Sequence, residues 1–305
     1  METISRSRTA PAVFQWLVFP VVLGGSVAGA MFAISNGTDP GAAILPPQLF
    51  AALAVAVLEH VYPLYPSWNR PRRDLRVDAT HTLVITVLVG IVRPFVFAGG
   101  ATLAGWLSGR LGSELWPSTW PVLAQLTLAL VVGDLPGYAV HRLAHTWDGL
   151  WRLHATHHSA PRLYWLNAGR FHPLDTLLTF VPSYGLLVLL GCGAEVMALL
   201  TIVTFVHGVL RHANLQLRLG PLNHFFSMAE LHRWLHSRTL AEANHNYGQN
   251  VILWDTLFGT RFLPKDREPP EAIGLPDLPN FPMTWWAQIQ SPFHWAKVRS
   301  ESGAR

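Results

Sequence analysis

The chain of 305 residues is half hydrophobic and 13% charged, whereas ordinary soluble domains carry about 25% charged residues. Its net charge of +4 does not indicate nucleic acid binding, because the arginines lie between apolar segments, where they act as orientation signals in membrane proteins. The single cysteine, Cys192, excludes an intramolecular disulfide framework and a thiolate metal cluster.

Five apolar segments indicate membrane helices. The first is predicted to be a retained signal anchor, because no small-residue cleavage site precedes Asn36. Arg93-Pro94 interrupts the third, which is predicted to be a kinked span or an interfacial piece. Gly191-Cys192-Gly193 divides the last into halves close to the shortest length that crosses a bilayer, and this predicts a helical hairpin. The segments are residues 12–34, 42–62, 80–107, 120–140 and 174–210.

The arginines between these segments predict one orientation. They lie before the first segment, after the second and after the fourth, whereas the intervening loops contain only Arg110. Under the positive-inside rule the N-terminus, the 63–79 loop and residues 141–173 are therefore cytoplasmic. A hairpin at 174–210 returns residues 211–305 to the same side, so all the histidine-rich segments share one face. The arginines concerned are Arg6, Arg8, Arg70, Arg72, Arg73, Arg76, Arg142, Arg152, Arg162 and Arg170.

Histidines crowd into short motifs that suit metal binding. HRLAH (141–145) and HATHH (154–158) place five imidazoles on two helical faces, because residues three and four apart lie on one side of a helix. A third motif, LHRWLHS, repeats the spacing of four. Imidazole suits iron, copper, zinc and nickel, and five to nine imidazoles exceed the needs of one tetrahedral zinc, so two neighbouring metals are predicted.

Other metal motifs are absent from the sequence. It contains no HExxH, which sets aside the common zinc protease arrangement. It also lacks the paired Glu-x-x-His motifs of carboxylate di-iron bundles. Isolated histidines are expected to be surface or core residues without a metal; these are His60, His81, His224 and His294.

The chain resembles the fatty acid hydroxylase and sterol desaturase superfamily of membrane di-iron oxygenases. The resemblance spans about 130 residues in the family's order. It rests on DLPGYAVHRLAH (134–145), LWRLHATHHS (150–159), RFHP (170–173), HAN (212–214), LHRWLHS (231–237) and NYGQNVILWDTLFGT (247–261).

The resemblance implies an all-α membrane helical bundle with a cytoplasmic helical cap. The predicted regions are membrane helices with a basic loop over 1–140, a histidine-box catalytic region over 141–261, and a polar tail with a possible interfacial segment over 262–305. The implied iron ligands are His141, His145, His154, His157, His158, His207, His212, His232 and His236. Candidates for orienting these imidazoles are Asp134, Asp148, Asp175, Asn214 and His172.

One position departs from the family's pattern. The third box is usually HxxHH, and Leu235 stands where the first histidine of its pair is expected. Either one iron has lost a nitrogen ligand, or His245, His224 or a water replaces it.

The implied activity is hydroxylation of an unactivated lipid C–H bond, using two iron ions, O2 and external electrons. The alternatives are a desaturase with the same site and a non-catalytic protein that binds metal or lipid; a metal transporter fits less well, because the spans offer few polar groups. The chain shows no iron–sulfur or flavin motif, so a separate ferredoxin or cytochrome with its reductase is expected as donor. The compact chain favours a bacterial inner membrane. Sterol, fatty acyl, carotenoid and alkyl ether substrates all stay open.

Overall fold

The computed structural model describes residues 9–112 and 114–303, and this part of the chain is helical, with isolated β-bridges instead of a sheet. Short 3-10 turns lie at 66–69, 165–169, 220–224 and 291–294. The α-helices are α1 (Ala12–Ser35), α2 (Leu45–Val61), α3 (Leu75–Leu111), α4 (Val122–Thr146), α5 (Asp148–His158), α6 (Pro173–Leu189), α7 (Ala194–His212), α8 (Ala229–Leu235), α9 (Leu240–Ala243), α10 (Leu253–Leu257), α11 (Trp285–Gln290) and α12 (Trp295–Glu301).

Within the described residues, four helices are long and apolar enough to cross a membrane: α1, α3, α4 and α7. The apolar helices α2 and α6 are shorter, with 17 residues each. The prediction of an all-α protein with membrane-type helices is confirmed. Arg6 and Arg8, used in the predicted orientation, lie outside the described residues.

Helix α3 differs from the predicted third segment. It runs without interruption through Arg93 and Pro94 and contains 37 residues. At 1.5 Å per residue it is about 55 Å long, whereas the hydrocarbon layer of a bilayer is about 30 Å thick.

Helices α6 and α7 take up the predicted fifth segment. The connection between them contains Gly191 at φ +93°, in the left-handed region that favours glycine. Helix α6 packs closely against α4, where a Cβ on Gly133 would lie 2.7 Å from the Leu187 side chain. A side chain at position 133 would therefore require Leu187 to shift.

Helix α7 lies at the centre of the apolar core. It contacts α1, α2 and α4, and its residues Leu199, Ile202 and Val206 are fully buried. Because the core elements surround α7, its C-terminal residue His212 is held in the protein interior.

The C-terminal segment packs against the histidine-bearing helix α5. Its residues Leu278, Phe281 and Trp295 form a small apolar cluster with Ala155 of α5. Gln288 accepts a hydrogen bond from His81 Nε2 and donates one to Ser159. This part of the tail is therefore attached to α3 and α5 beside the histidine motifs.

Candidate metal centre

Eight histidines converge in two groups of four, and within each group the candidate ligand atoms all lie within 4.8 Å of one another. The first histidine group consists of His141, His145, His154 and His158. The second histidine group consists of His157, His212, His232 and His236.

Helix periodicity explains how α4 and α5 divide their histidines. His141 and His145 are four residues apart on α4, as are His154 and His158 on α5, so each pair shares a helical face. His157 precedes His158 by one residue and is rotated by about 100° from it. Its ring therefore points away from the face that His154 and His158 share, and α5 contributes histidines to both groups.

The second group forms where α5, α7 and α8 meet. His212 ends α7, His232 lies on α8, and His236 follows the last residue of α8. Their Nε2 atoms approach closely, with His232 3.0 Å from both His212 and His236. The two groups are adjacent, since the ring centroids of His157 and His158 are 5.4 Å apart.

The unpaired nitrogens of these rings fit bound metal ions. Burying a polar atom without a partner costs about 1–3 kcal/mol, and neutral imidazole is the commonest protein ligand for metals. In the described part of the chain, a buried Nε2 without a hydrogen bond belongs to each of His141, His145, His154, His157 and His158. Two adjacent sets of four nitrogen donors therefore suit two transition-metal ions.

Burial favours the neutral form of the histidines on α5 and on the α8 segment. Burial lowers the pKa of His157, His158, His232 and His236 well below the usual value. Neighbouring histidines lower these pKa values further, and the positive charge of Arg211 lowers that of His232. A neutral imidazole has a free lone pair, which metal coordination requires.

Hydrogen bonds at Nδ1 orient four of the rings. His154 Nδ1 lies 2.8 Å from Asp175 Oδ2, and His212 Nδ1 lies 3.0 Å from Asn167 Oδ1. His141 and His157 direct Nδ1 to the carbonyl oxygens of Tyr247 and Arg170, at 2.7 and 3.2 Å. Because Nδ1 donates in each case, Nε2 holds the lone pair that faces the group.

Asp134 anchors the loop that carries the Tyr247 carbonyl. Its carboxylate accepts hydrogen bonds from the backbone N–H groups of Gln249, Asn250 and Val251. Gly248 is required in the same turn, because a Cβ there would lie 2.1 Å from the Val251 carbonyl oxygen. Asp134 therefore acts on the first group through this loop.

Two of the other proposed histidine ligands lie outside both groups. His207 is fully buried on α7, with its ring near Phe19 and Phe226. It lies five residues before His212, and a spacing of five turns the two side chains apart on a helix. His245 directs Nδ1 to the Glu242 carbonyl at 3.3 Å.

The remaining candidate residues bond to residues that belong to neither histidine group, or are exposed. Asp148 bonds to Arg152 and Trp295. The Asn214 side chain bonds to Tyr65 and Asn69. His172 caps α6 by accepting from the Leu174 N–H, and its Nε2 lies 3.1 Å from the Ile289 carbonyl. His224 is exposed.

Leu235 belongs to an apolar cluster beside the first histidine group, whose His141 and His145 rings contact Tyr247. It is fully buried in a cluster with Tyr138 and Tyr247. Each group has four histidines without any contribution from position 235, so the departure from the family's pattern does not leave one group with fewer nitrogen donors than the other.

Several residues that contact the histidines were not among the predicted site residues. Asn167 lies in a short 3-10 turn, and nothing in its local sequence indicates that it faces His212. Arg170 is fully buried and pairs with Asp78 of α3 at 2.5 Å, while its carbonyl holds His157. The RFHP and NYGQN motifs contain Arg170 and Tyr247, but in both cases the group at the site is a backbone carbonyl.

Two cavities reach the histidines. A cavity of about 20 Å³ lies between the groups and is lined by His141, His154, His157, Phe171, Asp175, Thr179, Arg211 and Gln249. A larger one of about 310 Å³ reaches His145 and His158. Trp147, Trp151 and Leu275 are among its other lining residues.

Comparison with known proteins identifies relatives of the chain. Ornithine lipid hydroxylase OlsE from Rhizobium tropici is 37% identical over 261 residues, which cover 84% of this chain and 77% of the relative. Alkylglycerol monooxygenase from Homo sapiens is 28% identical over 155 residues, covering 51% of this chain and 34% of the relative. Methylsterol monooxygenase 1 from Rattus norvegicus is 26% identical over 149 residues, covering 48% of this chain and 50% of the relative.

The family comparison covers the same part of the chain as the histidine groups. No solved structure is significantly similar to the chain. The sequence profile described as "Fatty acid hydroxylase" matches residues 126–260, a range that contains all eight grouped histidines. With the extended similarity to the Rhizobium protein, this match establishes that the chain belongs to the fatty acid hydroxylase family.

Proposed function

We propose that the chain is a membrane-bound di-iron monooxygenase that hydroxylates an unactivated C–H bond of a lipid. The observation that carries the proposal is the pair of adjacent four-histidine groups, to which the apolar helices α4 and α7 contribute histidines at their C-terminal ends. The overall reaction combines the C–H substrate, O2, two electrons and two protons to give the alcohol and water. The relatives described above have names of hydroxylases or monooxygenases, which favours hydroxylation over desaturation.

The protein's part in this reaction is to hold the metals and control access. The first and second histidine groups would each hold one iron through four imidazole nitrogens. The iron pair, when bound, supplies the O2 chemistry. The side chain of Asp175 and the amide of Asn167 fix the rings of His154 and His212, so that Nε2 presents its lone pair.

The lipid chain is proposed to approach from the apolar helices. Helices α4, α6 and α7 line the small cavity between the groups, through His141, Thr179 and Arg211 among others. Phe171 stacks on His157 with ring centroids 4.1 Å apart, and this apolar ring limits water at the site.

A separate protein is proposed to supply the electrons. Arg70, Arg72, Arg73 and Arg76 are exposed, and Arg72 contacts the segment after α5 through the Pro161 carbonyl. A basic surface of this kind attracts an acidic ferredoxin or cytochrome. Turnover with such a donor should fall as ionic strength rises, because salt screens exposed charges.

The site is proposed to face the cytoplasm of a bacterial inner membrane. The basic loops support this orientation, and the Rhizobium relative is bacterial. Reporter fusions at the C-terminus would test it: we expect a cytoplasmic reporter to be active and a periplasmic one to be inactive. The reverse result would contradict the orientation.

Product analysis tests the reaction. Purified protein with iron, reductant and a ferredoxin–reductase pair is incubated with a membrane lipid extract under isotopically heavy O2. A lipid product that gains one labelled oxygen atom supports hydroxylation. Loss of two hydrogens without added oxygen would indicate desaturation, and no product with a metal-loaded protein would contradict lipid oxidation.

A Leu235→His substitution tests the non-catalytic alternative. Because Leu235 packs in an apolar cluster with Tyr138 and Tyr247 and each group already has four histidines, we expect the iron content per chain to stay at two. A gain in bound iron or turnover would mean that the natural protein is short of a ligand at this position.

A further inference from the structure

The two histidine groups contain equal numbers of imidazoles but differ in the side chains that accept their hydrogen bonds. In each, one histidine donates from Nδ1 to a buried side chain. That side chain is the carboxylate of Asp175 for His154 of the first group, and the amide of Asn167 for His212 of the second. Both are shielded from solvent, since Asp175 is 4% and Asn167 1% exposed.

The local structure fixes which kind of acceptor each histidine meets. Asn167 Oδ1 also accepts from the Tyr164 N–H at 3.3 Å, and its Nδ2 donates to the Arg162 carbonyl. The amide oxygen must therefore face His212. Asp175 lies in the first turn of α6, where the helix dipole stabilises a negative charge.

These acceptors act differently on the metal-facing nitrogen. Hydrogen bonds to an ionised acceptor are roughly twice as strong as those between neutral groups. The carboxylate therefore draws the Nδ1 proton of His154 more strongly, and this makes its Nε2 a better electron donor. The negative charge of Asp175 also favours a cation nearby.

The Nδ1 atoms of the other histidines also differ between the two histidine groups. Each group has one further ring held at Nδ1 by a backbone carbonyl, His141 by that of Tyr247 and His157 by that of Arg170. In the second group, Nδ1 of His232 and Nδ1 of His236 are buried and have no hydrogen-bond partner in the described part of the chain. The second group is therefore less firmly pre-organised for a metal.

We infer that the two metal sites are unequal and fill in order, the first histidine group binding its ion more tightly because Asp175 supports His154. This inference rests on the proposed di-iron function. Removing a partner of this kind changes metal affinity by about 10- to 100-fold, and we expect a difference of that size between the sites. Asp175 acts here as a positioning residue for a ligand.

Metal titration tests the inference without any assay of turnover. Apoprotein in detergent is titrated anaerobically with Co²⁺, and binding is followed by the cobalt absorption bands. We expect two separate steps in the natural protein. His154→Ala should remove the tighter step and His212→Ala the weaker one.

Asp175→Asn is the critical variant, since it keeps the shape and removes the charge. It should weaken the tighter step by about 10- to 100-fold and leave the weaker step unchanged. Asp148→Asn is the matched control, because Asp148 bonds to Arg152 and Trp295, and it should change neither step.

The outcomes separate the inference from the proposed function. A single binding step in the natural protein, or equal weakening of both steps by Asp175→Asn, would contradict the inference that the sites differ in affinity. The proposal of two metal sites would still stand. If Asp175→Asn does not fold, the two histidine variants still decide, because loss of the weaker step in His154→Ala would contradict the inference. Failure of the natural protein to bind cobalt or iron would remove the proposed function itself.

Discussion

Helices α3 and α7 look alike in sequence and occupy opposite environments. Their best membrane-length windows have mean hydropathies of 2.1 and 1.6, yet none of the α3 window is buried inside the protein, against 67% of the α7 window. Helix α7 lies in the core and ends at His212, whereas the long middle of α3 exposes an apolar surface. Similar hydropathy therefore describes both a helix with an exposed apolar surface and a helix buried in the core, because both surroundings are suited to apolar side chains.

The N-terminal end of α3 differs from the rest of the helix because it contains buried polar residues. Its buried residues, Asp78 and His81, lie near its N-terminal end. Asp78 pairs with Arg170, and His81 contacts the Phe171 carbonyl and Gln288. One end of helix α3 thus bonds to residues beside the histidine groups, whereas α7 itself contributes the proposed ligand His212.

The largest expected effect is on iron content, and it distinguishes the buried His212 of α7 from the buried His81 of α3. His212→Ala should lower bound iron from two ions per chain to one, because it removes a donor from the second group. His81→Ala should keep both ions, since His81 bonds to a carbonyl and an amide. Elemental analysis of protein purified from iron-supplemented cells measures both. Equal iron in the two variants would contradict the distinction.

The next effect concerns the buried ion pair that links α3 to the cap. Asp78→Asn leaves the fully buried Arg170 without its counter-charge, and breaking such a pair costs about 3–5 kcal/mol. The free energy of unfolding in detergent should fall by this amount. Asp148→Asn serves as the control, because Asp148 forms a partly exposed pair with Arg152, which contributes about 0–1 kcal/mol. Similar losses in both variants would mean that the buried pair has no special role.

A smaller loss is expected from a cavity in α7. Ile202 is fully buried, and truncating a buried isoleucine to alanine costs about 2–5 kcal/mol. Thermal unfolding of Ile202→Ala in detergent should show this loss. An unchanged transition would indicate that α7 is not in a packed core.

The smallest effect is expected on the exposed surface of α3. Ile91 is 59% exposed, and substitutions on exposed surfaces change stability by about 0.5 kcal/mol or less. Ile91→Ala should therefore unfold like the natural protein in the same measurement. A loss as large as that of Ile202→Ala would show that another surface packs on α3.

Much of the site could be predicted from the sequence. Spacings of three and four placed histidines on common helical faces, and the number of imidazoles indicated two metals, because those inferences need only local geometry. The sequence could not identify which histidines of other helices join His157, or Asn167 as the partner of His212. Both depend on how α5, α7 and the 165–169 turn meet. The roles of the Arg170 and Tyr247 carbonyls were also hidden, since every residue has a carbonyl.

By itself the sequence determined the helical, apolar character of the chain, its family and the histidines available as ligands, because periodicity and composition are local properties. Only the tertiary structure decided which four nitrogens share each group, that Leu235 faces Tyr138 and Tyr247, and that α7 is buried while most of α3 is not. The physical reason is that a helix fixes the angle between its own side chains, whereas the position of one helix against another follows from packing of the whole core.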